Sequence, residues 1–370
     1  MVIVKQMRGI MLATLALGLL LAMTGPALAT YVVNPDRTVT ISLEVANIST
    51  NVQLTYSSEA TITVPMTNVG NVWSVTIGPL KPNWYRYWFN VDGMRMHDPL
   101  NPDHYFSVYG RLWSYFMVPG PEADFLATKD VPHGMVSTVW YFSSYTNSWR
   151  NMAVYTPPGY NDDNRKYPVL YLHHGAGNTG FEWIWNNRAD FILDNLFAEG
   201  KAVPMIVVMP DHSAVSGFLG DPAKDPYPVK ELVENVIPTI EEKFRVLPGS
   251  KNRAMAGLSM GGWRTFNTLL QVPHVFDYYC PLSAGWTSAQ IDAVTQNSKS
   301  LLRDIAAARN IKLLWISIGT LDSIVTSTQA TMALYDTYGI DYTYAPFPNG
   351  LHEPDVWRHN LHDFAQLLFR

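Results

Sequence analysis

The chain is predicted to fold as a two-part α/β protein, a small all-β sandwich followed by a larger domain built on a mostly parallel central sheet. Three observations predict this. From Tyr31 to about Val118, short runs alternate apolar and polar side chains between turn residues, with no helical period. From about Gly134 onward, strand-like apolar runs alternate with amphipathic helical ones, the pattern of parallel strands joined by helices. The length, 370 residues, favours two domains and allows a sizeable core. Hydrophobic residues make up 47% and charged residues 15%, a globular balance that excludes a disordered chain. A net charge of −5 with no Lys/Arg cluster offers no field for a phosphate backbone, so no nucleic-acid partner is expected.

The first element, residues 1–29, reads as an export signal. Lys5 and Arg8 precede an apolar run from Gly9 to Met23, and Ala27-Leu28-Ala29 is a small-residue cleavage site after Gly25-Pro26. The run is shorter than the roughly 20 residues that span a bilayer. The expectation is cleavage after Ala29, a secreted or periplasmic product, and no membrane association afterwards. No cysteine near the cleavage site could carry a lipid. The only cysteine, Cys280, lies in the apolar segment Tyr278 to Leu282, so no intramolecular disulfide forms and the thiol reads as a small buried hydrophobe.

Residues 30–120 form the all-β module, an immunoglobulin-like sandwich. Thr38 to Val45 and Trp73 to Ile77 alternate, and Gly78-Pro79 and Asp92-Gly93 supply turns. The run Trp84 to Val91 sorts by parity. Tyr85, Tyr87, Phe89 and Val91 make a core face, while Trp84, Arg86, Trp88 and Asn90 face the other way, as a sugar-stacking platform or as a docking surface.

Residues 121–370 form the α/β domain. Strands are expected at Tyr167 to Leu172, Met205 to Met209, Arg253 to Ala256, Tyr278 to Ser283, Leu313 to Ile318 and Tyr342 to Ala345. Helices are expected at Ala189 to Ala198, Val229 to Phe244, Gly262 to Leu270, Thr326 to Tyr338 and Val356 to Phe369.

Chemistry concentrates at Ala254-Met255-Ala256-Gly257-Leu258-Ser259-Met260-Gly261-Gly262, a strand that turns at a serine into a helix. Such a turn strains the serine backbone, and glycines on either side let the chain pass closely. The hydroxyl then projects above the sheet at a helix N-terminus, where developing negative charge is favoured. This is the nucleophile elbow of an α/β-hydrolase, and Ser259 is the candidate nucleophile. In that fold the partners follow in the order acid, then histidine. Asp322 ends the apolar strand Leu313 to Ile318 after a Gly turn and is the candidate acid. Asp341 precedes its strand, and Asp355 and Asp363 lie in or near the last helix. His352, in the loop before that helix, is the candidate base, whereas His359 and His362 lie on the helix and His274 in a turn.

An acyl-transfer site also needs two donors for an oxyanion, each worth roughly 2.7–4 kcal/mol. The amide of Met260 is one candidate. The loop after the first strong strand supplies the other, with Ala176 preferred and Gly175 in reserve. His173 and His174 leave the strand pointing opposite ways, with no third ligand in view, so they shape this loop rather than bind metal. No metal or cofactor is expected.

The stretch Val131 to Phe369 resembles the carbohydrate esterase family 1 type of α/β-hydrolase, which includes feruloyl and acetylxylan esterases. The resemblance rests on Val154-Tyr155-Thr156-Pro157-Pro158-Gly159-Tyr160, Tyr167 to Leu172, Ala254 to Gly262, Gly319-Thr320-Leu321-Asp322, and His352 followed by Val356-Trp357-Arg358. The leading module, Pro35 to Thr40 through Asn90 to Gly93, is similar to a family 48 carbohydrate-binding module. The resemblance implies the triad Ser259, Asp322 and His352, and a serine esterase of acylated plant cell-wall polysaccharide or oligosaccharide with ferulate or a related hydroxycinnamate as acyl group. Acetylxylan esterase is the alternative among enzymes, and a carbohydrate-binding protein with an inactive hydrolase domain the alternative of another class. Gly350-Leu351-His352-Glu353-Pro354 departs from the family's Gly-Gly-His and Thr-Trp by placing Leu351 and Glu353 beside the base. Glu353 either raises the pKa of the imidazolium or faces solvent. Trp286 suits a pocket for a planar acyl or sugar ring and equally suits plain packing.

Overall fold

The structure, a computed structural model, describes residues 30–45, 49–57, 61–106, 112–213 and 220–370, so the expected export signal lies outside the described residues. The chain divides into two compact units, one made of the described residues up to Lys81 with 86–104 and 113–116, the other of 82–85, 105–112 and 117–370.

The first unit is all β, and the ends of three of its strands, 83–85, 105–106, and 112 with 117–118, are counted to the second. Its strands are β1 (Tyr31–Val33), β2 (Val39–Glu44), β3 (Val52–Ser57), β4 (Thr61–Pro65), β5 (Thr67–Val69), β6 (Val72–Ile77), β7 (Asn83–Val91), β8 (Met94–Met96), β9 (His104–Phe106) and β10 (Leu112–Val118). They form one sheet in the order β1-β2-β6-β5 and another in the order β4-β3-β7-β10-β9, with β8 paired to β7. The parity of β7 is as the sequence implies, for Tyr85, Tyr87, Phe89 and Val91 are buried while Arg86, Trp88 and Asn90 are half-buried. Tyr87 donates to the buried carboxylate of Asp98, so a polar group is satisfied inside this core. The opposite face is no bare platform, for the Arg95 guanidinium covers the Trp88 ring at 3.8 Å; Trp84, a residue of the second unit, is buried under Arg188 of that same unit at 4.2 Å.

The second unit carries an eight-stranded sheet of β11 (Met135–Ser143), β12 (Ser148–Thr156), β13 (Val169–His173), β14 (Ile206–Pro210), β15 (Arg253–Leu258), β16 (Tyr278–Leu282), β17 (Leu313–Gly319) and β18 (Thr343–Phe347). The order is β11-β12-β14-β13-β15-β16-β17-β18. The pairs from β14 through β18 are parallel, and β11 and β12 add an antiparallel hairpin at one edge. Strands β13, β14 and β16 are buried at every position, which is why they read as unbroken apolar runs.

The helices are α1 (Glu182–Trp185), α2 (Ala189–Ala198), α3 (Ile237–Lys243), α4 (Met260–Gln271), α5 (Ser288–Asn297), α6 (Lys299–Ala307), α7 (Val325–Tyr338) and α8 (Pro354–Ala365). The helix expected at Val229 to Phe244 is present, but its first part, Tyr227–Val236, is wound as a π-helix that passes into α3 at Ile237. Beneath the sheet, Asp225 pairs with Arg264 of α4, both fully buried, and accepts from Asn267 at 2.9 Å. Among the described residues no helix is long and apolar enough to cross a membrane.

Candidate active site

The serine turn joins β15 to α4. Ser259 sits at φ 53° and ψ −115°, a left-handed conformation that costs a non-glycine residue of the order of 1–3 kcal/mol and persists only where the surroundings impose it. They do so here. A Cβ on Gly257 would lie 2.5 Å from the backbone of Gly261, and one on Gly261 would lie 2.5 Å from His173 O, so neither position admits a side chain. The Ser259 amide donates to Leu282 O at 2.9 Å, tying the turn to β16. Met260 opens α4, so its N–H belongs to the unpaired first turn of a helix.

Asp322 follows β17 and is 2% exposed. Its carboxylate accepts from His352 Nδ1 at 3.1 and 2.9 Å through its two oxygens, and from the Ile324 amide at 3.0 Å. Burial pushes its pKa up, but the hydrogen bonds from His352 and Ile324 outweigh burial and hold it below the ordinary carboxylate value. Because a carboxylate only accepts, Nδ1 of His352 must carry a proton, which leaves Nε2 to act as base. The imidazole is about one-third exposed and stands edge-on to Trp357, with centroids 5.3 Å apart.

The loops bearing acid and base are locked to each other. Leu321 N donates to Gly350 O, Thr320 N to Phe347 O, and Asn349 N to the Thr320 hydroxyl. A Cβ on Gly319 would lie 2.2 Å from Gly350 O, so the two chains are in direct contact. Glu353 accepts from the Leu351 amide at 3.1 Å and so braces the turn that presents His352. Leu351 is exposed.

The loop after β13 is shaped from beneath. Glu182, 2% exposed, accepts from Gly175 N and from Asn178 Nδ2, each at 2.7 Å. His174 Nδ1 donates to Gly175 O at 2.7 Å, and its Nε2 accepts from the His212 amide at 3.1 Å. Both polar groups of Gly175 are therefore occupied, which corrects its reserve assignment as oxyanion donor. Ala176, next along and exposed, makes no hydrogen bond through its amide among the described residues. His173 points the other way, to the Tyr227 hydroxyl at 2.7 Å, and burial, aided by repulsion from His174, drives its pKa down to about 3. Among the described residues no group of three or more His, Cys, Asp or Glu is arranged to hold a metal.

Two further residues fall elsewhere. Trp286 is fully buried, donates to Asn267 Oδ1 at 2.9 Å and packs against Phe266 and Tyr335, so it cannot line a substrate pocket and serves as packing. Cys280 is buried as well, and burial pushes its thiol well above the ordinary value, away from a thiolate nucleophile.

Thus Ser259, Asp322, His352 and Ala176 all lie just beyond the C-terminal ends of parallel strands, where open α/β sheets place their ligands. The structure joins Asp322 to His352 directly. The Ser259 hydroxyl makes no hydrogen bond among the described residues; its amide is tied to Leu282 O, and the next residue, Ser283, accepts from Trp357 Nε1 at 3.0 Å through its hydroxyl. Sequence reasoning missed Ser283, Trp357 and Glu182 as supporting residues. Glu182 carried a readable signal, a lone carboxylate in the aromatic run Phe181-Glu182-Trp183-Ile184-Trp185.

The chain is similar to known esterases. The family model described as putative esterase matches residues 143–367. The endo-1,4-beta-xylanase/feruloyl esterase of Xylanibacter ruminicola is 31% identical over 317 residues, 83% of this chain but 41% of that protein, so the chain spans less than half of this relative. Endo-1,4-beta-xylanase Y of Acetivibrio thermocellus is 30% identical over 151 residues, 38% of this chain and 13% of that protein. Among solved structures, the ferulic acid esterase of the anaerobic fungus Anaeromyces mucronatus aligns with a TM-score of 0.58 at 27% identity, over 66% of this chain and 95% of that one. The enterobactin esterase of Shigella flexneri shares the fold, with a TM-score of 0.62 at 17% identity over 90% of this chain and 94% of that one.

Proposed function

The chain belongs to the putative esterase family and is a carboxylic ester hydrolase, and on that premise we propose that it is an exported serine esterase of acylated plant cell-wall polysaccharide, with a hydroxycinnamate such as ferulate as the acyl group. The observation that carries the mechanism is the buried Asp322 carboxylate on Nδ1 of His352, beside the strained turn at Ser259.

In this reading the Ser259 hydroxyl attacks the ester carbonyl while His352 Nε2 takes its proton, and Asp322 holds the imidazole in the required tautomer. The amides of Met260 and Ala176 receive the oxyanion. The tetrahedral intermediate collapses as His352 returns the proton to the departing sugar oxygen, and a water activated by the same imidazole frees the acid. The names of the Xylanibacter and Anaeromyces proteins support ferulate. The first unit enters the proposal as a carbohydrate-binding-like module, tested by pull-down on insoluble xylan and starch.

The test is a panel of methyl ferulate, acetylated xylan and short aryl esters with purified protein. Preferential release of ferulate is the expected result, and exclusive release of acetate would make the protein an acetylxylan esterase. Labelling of wild type but not Ser259→Ala by a serine-reactive phosphonate is expected, and an unlabelled wild type would mark an inactive binding protein.

A further inference from the structure

We propose that the hairpin of β11 and β12 is a docking strip for a neutral polysaccharide chain, which holds the polymer while its ester lies at Ser259; the inference rests on the reading of the substrate as an acylated polysaccharide. Trp140, Phe142, Tyr145 and Trp149 are 56%, 48%, 38% and 67% exposed, four large rings gathered within ten residues. Such a cluster is uncommon on a soluble surface and marks a place of contact.

The register relates the strip to the catalytic edge. Gly257 pairs with His173, Tyr171 two residues earlier with Val208, and Met152 with Pro210 and Val139. Ser259, two residues past Gly257, is therefore level with the Arg150–Tyr141 pair, and the Phe142–Trp149 and Trp140–Asn151 pairs lie one residue to either side. Strand spacing places β12 about 14 Å and β11 about 19 Å from β15 along the sheet. A polymer carrying its ester at Ser259 reaches these rings within a few sugar units.

Side-chain chemistry selects the occupant. From Thr138 to Trp149 every exposed side chain is aromatic, hydroxylated or an amide, and none is aliphatic or charged. Protein interfaces are also rich in aromatic rings but add arginine and methionine to them, whereas this strip exposes no charge and no methionine and so suits a neutral sugar chain, which offers C–H faces to rings and hydroxyls to amides. The rings are also held rigidly. On the opposite face Tyr141 and Ser143 donate to the buried Glu231, and Ser144 donates to Asn235 through both its amide and its hydroxyl. Phe142 and Trp149 stand edge to face at 5.9 Å, a geometry that settles each ring against the other.

The experiment compares full-length wild type with Trp140→Ala/Phe142→Ala/Trp149→Ala, all at exposed positions. Its readout is the ratio of kcat/KM on feruloylated arabinoxylan to kcat/KM on methyl ferulate. The ratio should fall about fivefold or more, the cost of losing one or two ring contacts. An unchanged ratio overturns the proposal, as does a wild-type dimer that the triple variant converts to monomer. Should wild type cleave neither ester, the substrate reading fails by itself, and the strip is judged by retardation in gels cast with unesterified arabinoxylan. Reduced retardation of the triple variant then upholds it, and equal retardation overturns it.

Discussion

Asp322 holds Nδ1 of His352 against both of its carboxylate oxygens, at 3.1 and 2.9 Å. Asparagine would keep the shape but present an amide, which can donate to Nδ1 and so favour the wrong tautomer. Asp322→Asn is expected to lower kcat on an aryl ester by about 10⁴ with an unchanged circular-dichroism spectrum. Near wild-type turnover would place the acid elsewhere.

Glu182 occupies the Gly175 amide and the Asn178 side chain together. Truncation frees the loop that carries the Ala176 amide. Glu182→Ala should therefore cut kcat by roughly 10²-fold, the scale of one oxyanion donor, with KM changed far less. Glu182→Gln, which keeps one acceptor, should recover part of the loss. A change confined to KM would show that the loop binds substrate instead of the oxyanion.

Trp286 is a core residue, and its substitution tests that directly. Trp286→Phe removes the bond to Asn267 and leaves an amide oxygen without its donor, at about 1–3 kcal/mol. Urea denaturation should show that loss while KM for methyl ferulate stays constant. A raised KM with intact stability would return the ring to the substrate pocket.

Asp190 gives a dependence on pH with a defined sign. Burial raises its pKa to about 6, and its Oδ1 is buried without a hydrogen-bond partner among the described residues. A folded pKa above the unfolded value near 3.9 means a contribution fully present below about pH 4 and lost as pH rises through about 6. Asp190→Asn should thus stabilise the protein at pH 7 by about 1–2 kcal/mol, a figure reduced for partial solvent contact, and change little at pH 4. Thermal melts at the two pH values check this, and equal shifts would contradict it.

The parallel strands were legible because burial on both faces leaves apolar runs with few interruptions, as in Val169–His173 and Ile206–Pro210. The hairpin of β11 and β12 was not, since one face hides Tyr141 and Ser143 against Glu231 while the other exposes Trp140 and Phe142, which blurs the usual pattern. Helix α5 is weakly apolar, yet its Thr287 and Gln290 form a capping box that the sequence displayed. Chain order and loop position led to Asp322 and His352, which the structure hydrogen-bonds to each other. The occupied amide of Gly175 and the burial of Trp286 could not be, because each depends on a partner distant in the fold or on a loop's exact course, Glu182 and Asn267.

Gly319 and Gly350 press the two catalytic loops into one block, with Leu321 and Leu351 exposed on it. The spacing of carboxylate and imidazole is thereby set by backbone contacts and not by the exposed side chains around them. Variation at the two leucines can change the surface around the imidazole while the carboxylate and imidazole keep their spacing, so selection has a dial that leaves the engine untouched.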